Sequence, residues 1–312
     1  MAIRLANLAD DIHPLEPSLN PRRRLRQAGE WLFLIPGIVT VLAFFIVPAG
    51  YVIYISFFQS TIMNPTASFA GVGNYRAILH SAQFGGALVH TLIFAGGVTI
   101  SVLVLGLLLA TLLDQRLRAV SVYRTVIFLP YVFPLVSSGV AFMWLLQPQY
   151  GFVDTVLQLL GLPAVNWLGN VHTALLCIIA VTTWEFLGFY TLIFLGGLQN
   201  VNVHLKEAAA VDGAGSWTVF RKITVPSITP SIFFAAVFSI IQSFQAFDQI
   251  YIMTQGGPAM ATQTLTYYIY TQGFQFFNFG QASAASVFMM VLLGLLTGAQ
   301  FFLAKRWVVT EE

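Results

Sequence analysis

Residues Val171–Leu198 read VHTALLCIIAVTTWEFLGFYTLIFLGGL, a run in which Glu185, near the middle, is the only Asp, Glu, Lys or Arg. A helix rises about 1.5 Å per residue, so about 20 apolar residues cross the roughly 30 Å hydrocarbon core of a bilayer. The run exceeds that length and lacks the alternation that a barrel strand of about 10 residues needs. It predicts a membrane-spanning helix. Outward from it, Trp31–Phe58, Ala87–Leu113, Val120–Leu146, Ser231–Met253 and Ala282–Ala304 pass the same test. The expected fold class is therefore all-α, a polytopic membrane protein with six transmembrane helices. Pro36, Pro48, Pro130 and Pro134 fall within or beside these spans and predict kinks.

Composition agrees. The chain is 57% hydrophobic and 8% charged, with a mean hydropathy of +0.80, whereas soluble domains carry about 25% charged residues. This excludes an ordinary soluble enzyme and a disordered chain. A net charge of +2 gives no argument for a nucleic-acid partner. Cys177 stands alone, which excludes an intrachain disulfide and a cysteine-based metal cluster.

Arginine and lysine set the orientation. Arg4, Arg22, Arg23, Arg24 and Arg26 precede the first span. Arg116, Arg118 and Arg124 flank the second connection, Lys206, Arg221 and Lys222 the fourth, and Lys305 and Arg306 follow the last span. All these fall on one side, and Arg76 alone falls on the other. Both termini are thus expected in the cytoplasm of a multi-pass plasma (inner) membrane protein. Residues 1–30, with Pro14, Pro17 and Pro21, read as a flexible tail, and 31–312 as the six-span domain. The basic tail before an apolar run suggests a signal peptide, but the run exceeds a 7–15-residue h-region and no A-x-A site follows it.

The chain lacks G-x-x-x-x-G-K-[ST], H-E-x-x-H and G-x-S-x-G, and its five histidines are scattered. It offers no P-loop, zinc pair or nucleophile elbow. No catalytic residue and no cofactor of its own is expected.

The connection at residues 200–229 is long for a compact domain. Asn202 is placed to cap a helix running His204–Val211, Gly213 to stop it in a left-handed conformation, and Ser216 to cap a second helix reaching Ile223. Pro226 is expected to end that second helix. Ala208, Ala209, Trp217 and Phe220 suit a protein-docking surface.

Glu207-Ala208-Ala209, Asp212-Gly213-Ala214, Phe220, Ile223, Pro226 and Pro230 resemble the EAA loop of permease subunits in binding-protein-dependent ABC importers. Phe244–Asp248, Thr254–Pro258, Thr262–Leu265 and Leu129-Pro130-Tyr131 are similar to the carbohydrate branch, which serves maltose, trehalose, other oligosaccharides and glycerol phosphates. The resemblance covers nearly all of the chain after about residue 30 and implies a type I ABC importer permease fold. It implies alternating access, a second homologous permease as heterodimer partner, two cytoplasmic ATPase subunits carrying ATP and Mg, and an extracytoplasmic solute-binding protein. Glu207, Ala208, Ala209, Asp212, Gly213, Ala214 and Phe220 then form the ATPase-coupling loop. The large external insert of maltose-type members is absent.

Polar groups inside spans are costly in hydrocarbon and mark cavities or helix contacts. On one continuous helix, Ser239, Gln242, Gln245 and Gln249 share an arc of about 120°. Asp248 lies beside them, and Trp184 and Glu185 sit mid-span. Aromatic faces with amide and carboxylate acceptors suit sugars. Hydrogen bonds between helices explain the stripe as well, and Glu185 could instead pair with a partner's basic residue. The family resemblance aligns Tyr131, Phe244 and Gln245 with sugar-contacting places. The expected solute path is Tyr131, Trp184, Glu185, Gln242, Phe244, Gln245 and Asp248. An ion-coupled secondary transporter is the alternative, for which Glu185 is the one midplane acid.

Overall fold

The computed structural model describes residues 34–61, 68–115 and 119–308. The basic tail residues, Arg116 and Arg118, and Trp31 at the start of the first expected span lie outside the described residues. By internal contacts the chain divides into a unit ending at Val52 and one from Ile53 to Glu312.

The described residues are mainly helical, and among them stand two isolated β-bridges, Phe58 to Phe69 and Thr61 to Asn278. Among the described residues, four continuous helices are long and apolar enough to cross a membrane: α1 (Leu34–Ile55), α3 (Ala82–Leu113), α7 (Ala174–Gln199) and α13 (Phe279–Ala304). Between the first two lies α2 (Gly73–Leu79). Two bent pairs bring the crossings to six if each pair is one span: α4 (Val120–Val132) with α5 (Leu135–Leu145), and α9 (Ser216–Ser227) with α10 (Thr229–Phe244). The connections carry α6 (Phe152–Leu159), α8 (Val203–Val211), α11 (Asp248–Met253) and α12 (Leu265–Tyr270).

The prolines act unequally. The 95° bend between α4 and α5 falls at Phe133 and Pro134. Phe133 is extended, as the residue before a proline must be to avoid its ring, and Pro134 caps the next helix. Pro130 sits inside α4, and Pro36 inside α1, without interrupting either. Pro48 follows a π-turn at Leu42–Ile46, where Val47 N–H bonds back to Leu42. The widened turn admits a ring that lacks a donor and crowds the preceding turn.

The expected fifth span is not one helix. α10 stops at Phe244, and α11 resumes at Asp248 after a non-helical Phe247. Nothing local forces this break. It is held from outside, because Thr266 Oγ1 donates to the freed Phe244 carbonyl at 2.8 Å.

The main core lies where α7 crosses α3. Phe94, Val98, Val102 and Ala110 interlock with Ile178, Val181, Tyr190 and Phe194. Gly188 lets α4 approach α7: a Cβ there would stand 2.2 Å from the Ile127 carbonyl oxygen. A second cluster joins Ile78 of α2, Phe84 and Ala87 of α3, Leu265 and Tyr268 of α12, and Ala284 and Ala285 of α13.

Candidate functional site: a helical loop and a mid-span polar cluster

The loop at residues 200–229 begins with the expected cap, Asn202 Oδ1 accepting from His204 N at 2.9 Å. α8 then runs Val203–Val211 through Glu207, Ala208 and Ala209. Ala214 N–H reaches the Ala209 carbonyl at 2.9 Å and Gly213 N–H the Ala210 carbonyl at 3.1 Å. This paired closure needs a left-handed residue after the helix, and Gly213 supplies it with φ +78°. Asp212 is the C-cap, and Glu207 is exposed, 3.4 Å from His204 on its own helix.

Two expectations fail in the second half of the loop. Gly215, not Ser216, is the N-cap, and no side chain caps α9. Pro226 does not end the helix. A π-turn at Phe220–Thr224 precedes it, Val225 N–H bonds to Phe220, and Pro226 falls at the start of the resumed α-turn, where no donor is required. The helix turns only at Ile228, by 64° into α10. On the loop surface Ala208 is exposed and Trp217 is 72% exposed, its ring stacked on Phe220 at 5.7 Å, while Ala209 and Phe220 are half-buried.

The second set gathers around α7. Tyr131, near the end of α4, stacks on Phe189 at 4.8 Å and meets Phe186 at 6.0 Å. Trp184 is partly exposed, packs edge-on against Phe142 at 5.0 Å, and lines a cleft of about 310 Å³ with Trp167 and Cys177. Its neighbour Glu185 points the other way and is fully buried. Glu185 Oε2 accepts from Gln249 Nε2 at 3.3 Å, while Glu185 Oε1 and the Thr182 and Thr183 hydroxyls have no hydrogen-bond partner among the described residues.

The break after Phe244 dissolves the single polar stripe. Ser239 and Gln242 are bound within the chain: Thr99 and Ser239 share a buried hydroxyl contact at 3.0 Å, and Tyr190 donates to Gln242 at 3.3 Å. Phe244 is buried. Gln245 caps α10 and is exposed, and Asp248, half-buried, opens α11. Of the seven expected path residues, Trp184 and Gln245 are exposed, Tyr131, Gln242 and Asp248 half-buried, and Glu185 and Phe244 withdrawn into the core.

One organising residue escaped the sequence reading. Asp154 on α6 is fully buried and accepts from Gln149 N (3.1 Å), Val165 N (3.3 Å) and Trp167 Nε1 (3.0 Å). The Gln149 N–H does most to hold its carboxyl below the ordinary range. Desolvation opposes this, and the Val165 and Trp167 donors add to it. The available signal was that Asp154 is the only acidic residue between Leu146 and Thr173. No three His, Cys, Asp or Glu side chains gather as metal ligands among the described residues.

Residues 102–309 match the family of binding-protein-dependent transport system inner membrane components. The chain is 32% identical to the sn-glycerol-3-phosphate transport system permease protein of Agrobacterium fabrum, over 88% of this chain and 94% of that one. It is 31% identical to the trehalose/maltose transport system permease protein of Thermococcus litoralis, over 89% and 95%. Against the lactose transport system permease protein of Rhizobium radiobacter it is 32% identical, over 91% and 96%. In fold it is similar to a chain of a bacterial alginate ABC transporter crystallised with an alginate pentasaccharide-bound periplasmic protein, with TM-score 0.82 and 23% identity, covering 93% of this chain and 99% of that one. The chain belongs to the binding-protein-dependent transport system inner membrane components and is a permease subunit of an ABC importer.

Proposed function

We propose that this permease carries an uncharged carbohydrate, a disaccharide or oligosaccharide, across the plasma membrane by alternating access. It pairs with a second homologous permease, docks two ATPase subunits that hold ATP and Mg, and receives the sugar from an extracytoplasmic binding protein. Both termini and the loop at residues 200–229 face the cytoplasm. That loop is the coupling element, with Glu207, Ala208, Ala209, Asp212, Gly213, Ala214 and Phe220 framing its ATPase contact.

The observation that carries the solute class is the interrupted helix between Phe244 and Asp248. It leaves the Gln245 amide exposed, while Arg124 is the only arginine or lysine in α1, α3, α4, α5, α7, α10 and α13. An amide hydrogen-bonds hydroxyls, and a path this poor in cations does not favour a phosphate dianion. The relatives named for lactose and for trehalose and maltose fit this class, whereas the equally similar relative named for sn-glycerol-3-phosphate fits the other, so the solute class rests on the residues of the path.

Uptake by the reconstituted importer tests this. Disaccharides should compete for transport and glycerol phosphate should not, and Gln245→Leu should lower uptake while assembly and basal ATP hydrolysis persist. Competition by glycerol phosphate alone would overturn the solute class, and loss of assembly would make Gln245 a packing residue.

A further inference from the structure

In the chain, α6 is separated from the loop at residues 200–229 by α7, a helix long and apolar enough to cross a membrane. At about 100° per residue it divides into three sectors. Asp154 points inward to its three donors, and Val153 and Leu157 are half-buried on neighbouring angles. Thr155 and Gln158 are exposed and polar. The remaining arc, about 100° wide, carries Phe152, Val156, Leu159 and Leu160, and Phe152, Leu159 and Leu160 are 67%, 83% and 70% exposed.

A contiguous exposed apolar arc marks a contact with protein or membrane. We propose that α6 lies in the plane of the membrane–water interface, with Phe152, Val156, Leu159 and Leu160 in lipid at the headgroup–acyl boundary and Thr155 and Gln158 toward water.

Four considerations select lipid over protein. The helix directly follows a candidate span: α5 ends at Leu145 a few residues earlier, and exposed Trp144 and Tyr150 stand at the junction as aromatic anchors do at an interface. A partner that binds and leaves would return the arc to water at every release. Close contacts between membrane helices favour small residues, whereas this arc has none smaller than valine. The inward pull of Asp154 leaves the outer surface free of charge, which suits insertion of one face.

The test uses the assembled importer in lipid nanodiscs, with Cys177→Ala removing the native thiol. Nitroxide labels are placed at Leu159→Cys and Gln158→Cys, and collision rates with oxygen and with a water-soluble nickel chelate are compared. Both sites are exposed, and retained ATP hydrolysis certifies the labelled complex. The Leu159 label should collide severalfold more with oxygen than with the chelate, and the Gln158 label should show the reverse preference. Equal chelate access at both sites would place the arc in water and overturn the proposal. Shielding of the Leu159 label from both reagents would overturn it in favour of a protein cover.

Discussion

Gln249 donates its side-chain amide to Glu185 across 3.3 Å, tying α11 to the middle of α7 at a point where both side chains are buried. The bond supplies one of the few donors available to a carboxyl group deep in a span. Removing it by Gln249→Leu leaves that group without its partner and should destabilise the chain by about 1–3 kcal/mol. The double variant Glu185→Leu, Gln249→Leu should lose clearly less than the sum of the two single losses. Thermal unfolding midpoints of the four proteins in detergent measure this, and simple additivity would show that the two side chains do not act as a pair.

Gly188 gives a sharper steric case. The Cβ of Gly188→Ala would approach the Ile127 carbonyl oxygen at 2.2 Å and the Phe128 Cα at 2.7 Å, and backbone atoms cannot rotate aside. Separating α4 from α7 should cost about 1–3 kcal/mol. Gly196→Ala lies further along the same helix, with nothing within 4 Å of the place its Cβ would take, and should leave the unfolding midpoint unchanged or raised. Equal behaviour of the two variants would remove the argument for close approach.

Gly213 has open space around it but a φ of +78°. Gly213→Val therefore meets a backbone penalty of about 1 kcal/mol or more without any clash. Membrane insertion should be normal, while uptake and the ATP hydrolysis stimulated by loaded binding protein should fall sharply. Glu207→Lys, reversing an exposed charge on α8, should act in the same direction. Full uptake by both variants would rule the loop out as the coupling element.

Asp154 should make the α6 segment sensitive to acid. Its folded-state pKa lies below the ordinary value of 3.8, so its contribution is complete above that value and is lost as the pH falls through the folded one. The Gln149 and Val165 amides should be protected, relative to an unstructured chain at the same pH, at neutral pH and at pH about 5, and should lose that protection only in stronger acid. In Asp154→Ala both amides should lack this protection at every pH. A wild-type transition well above 3.8 would contradict the direction of the shift.

How much was legible follows from where each signal resides. The spans could be read because apolar length is a local property, and the bend at Pro134 because a proline restricts its own neighbour. The cap at Asn202 and the turn at Gly213 were likewise written in adjacent residues. The break after Phe244 was hidden because its stabilising donor, Thr266, stands on another element, and the polar stripe was misread with it. Pro226 was misread because a wider turn just before it removes the conflict that a regular helix would have. Glu185 stands out in sequence as an acid in mid-span, but its burial depends on α11, whose position only the tertiary structure fixes.

The continuity of α9 through Pro226 has a mechanical consequence. Ser216–Ser227 is one stiff rod about 18 Å long, with an exposed tryptophan at its far end and a bend at buried Ile228 at its root. A helix ended by its proline would have been a slack tether, absorbing any push between Pro226 and α10. A crank arm does not. If the loop is the coupling element, displacement applied at Trp217 would be carried to Ile228 as torque, and the first thing it would turn is α10, the helix whose far end is already cut at Phe244.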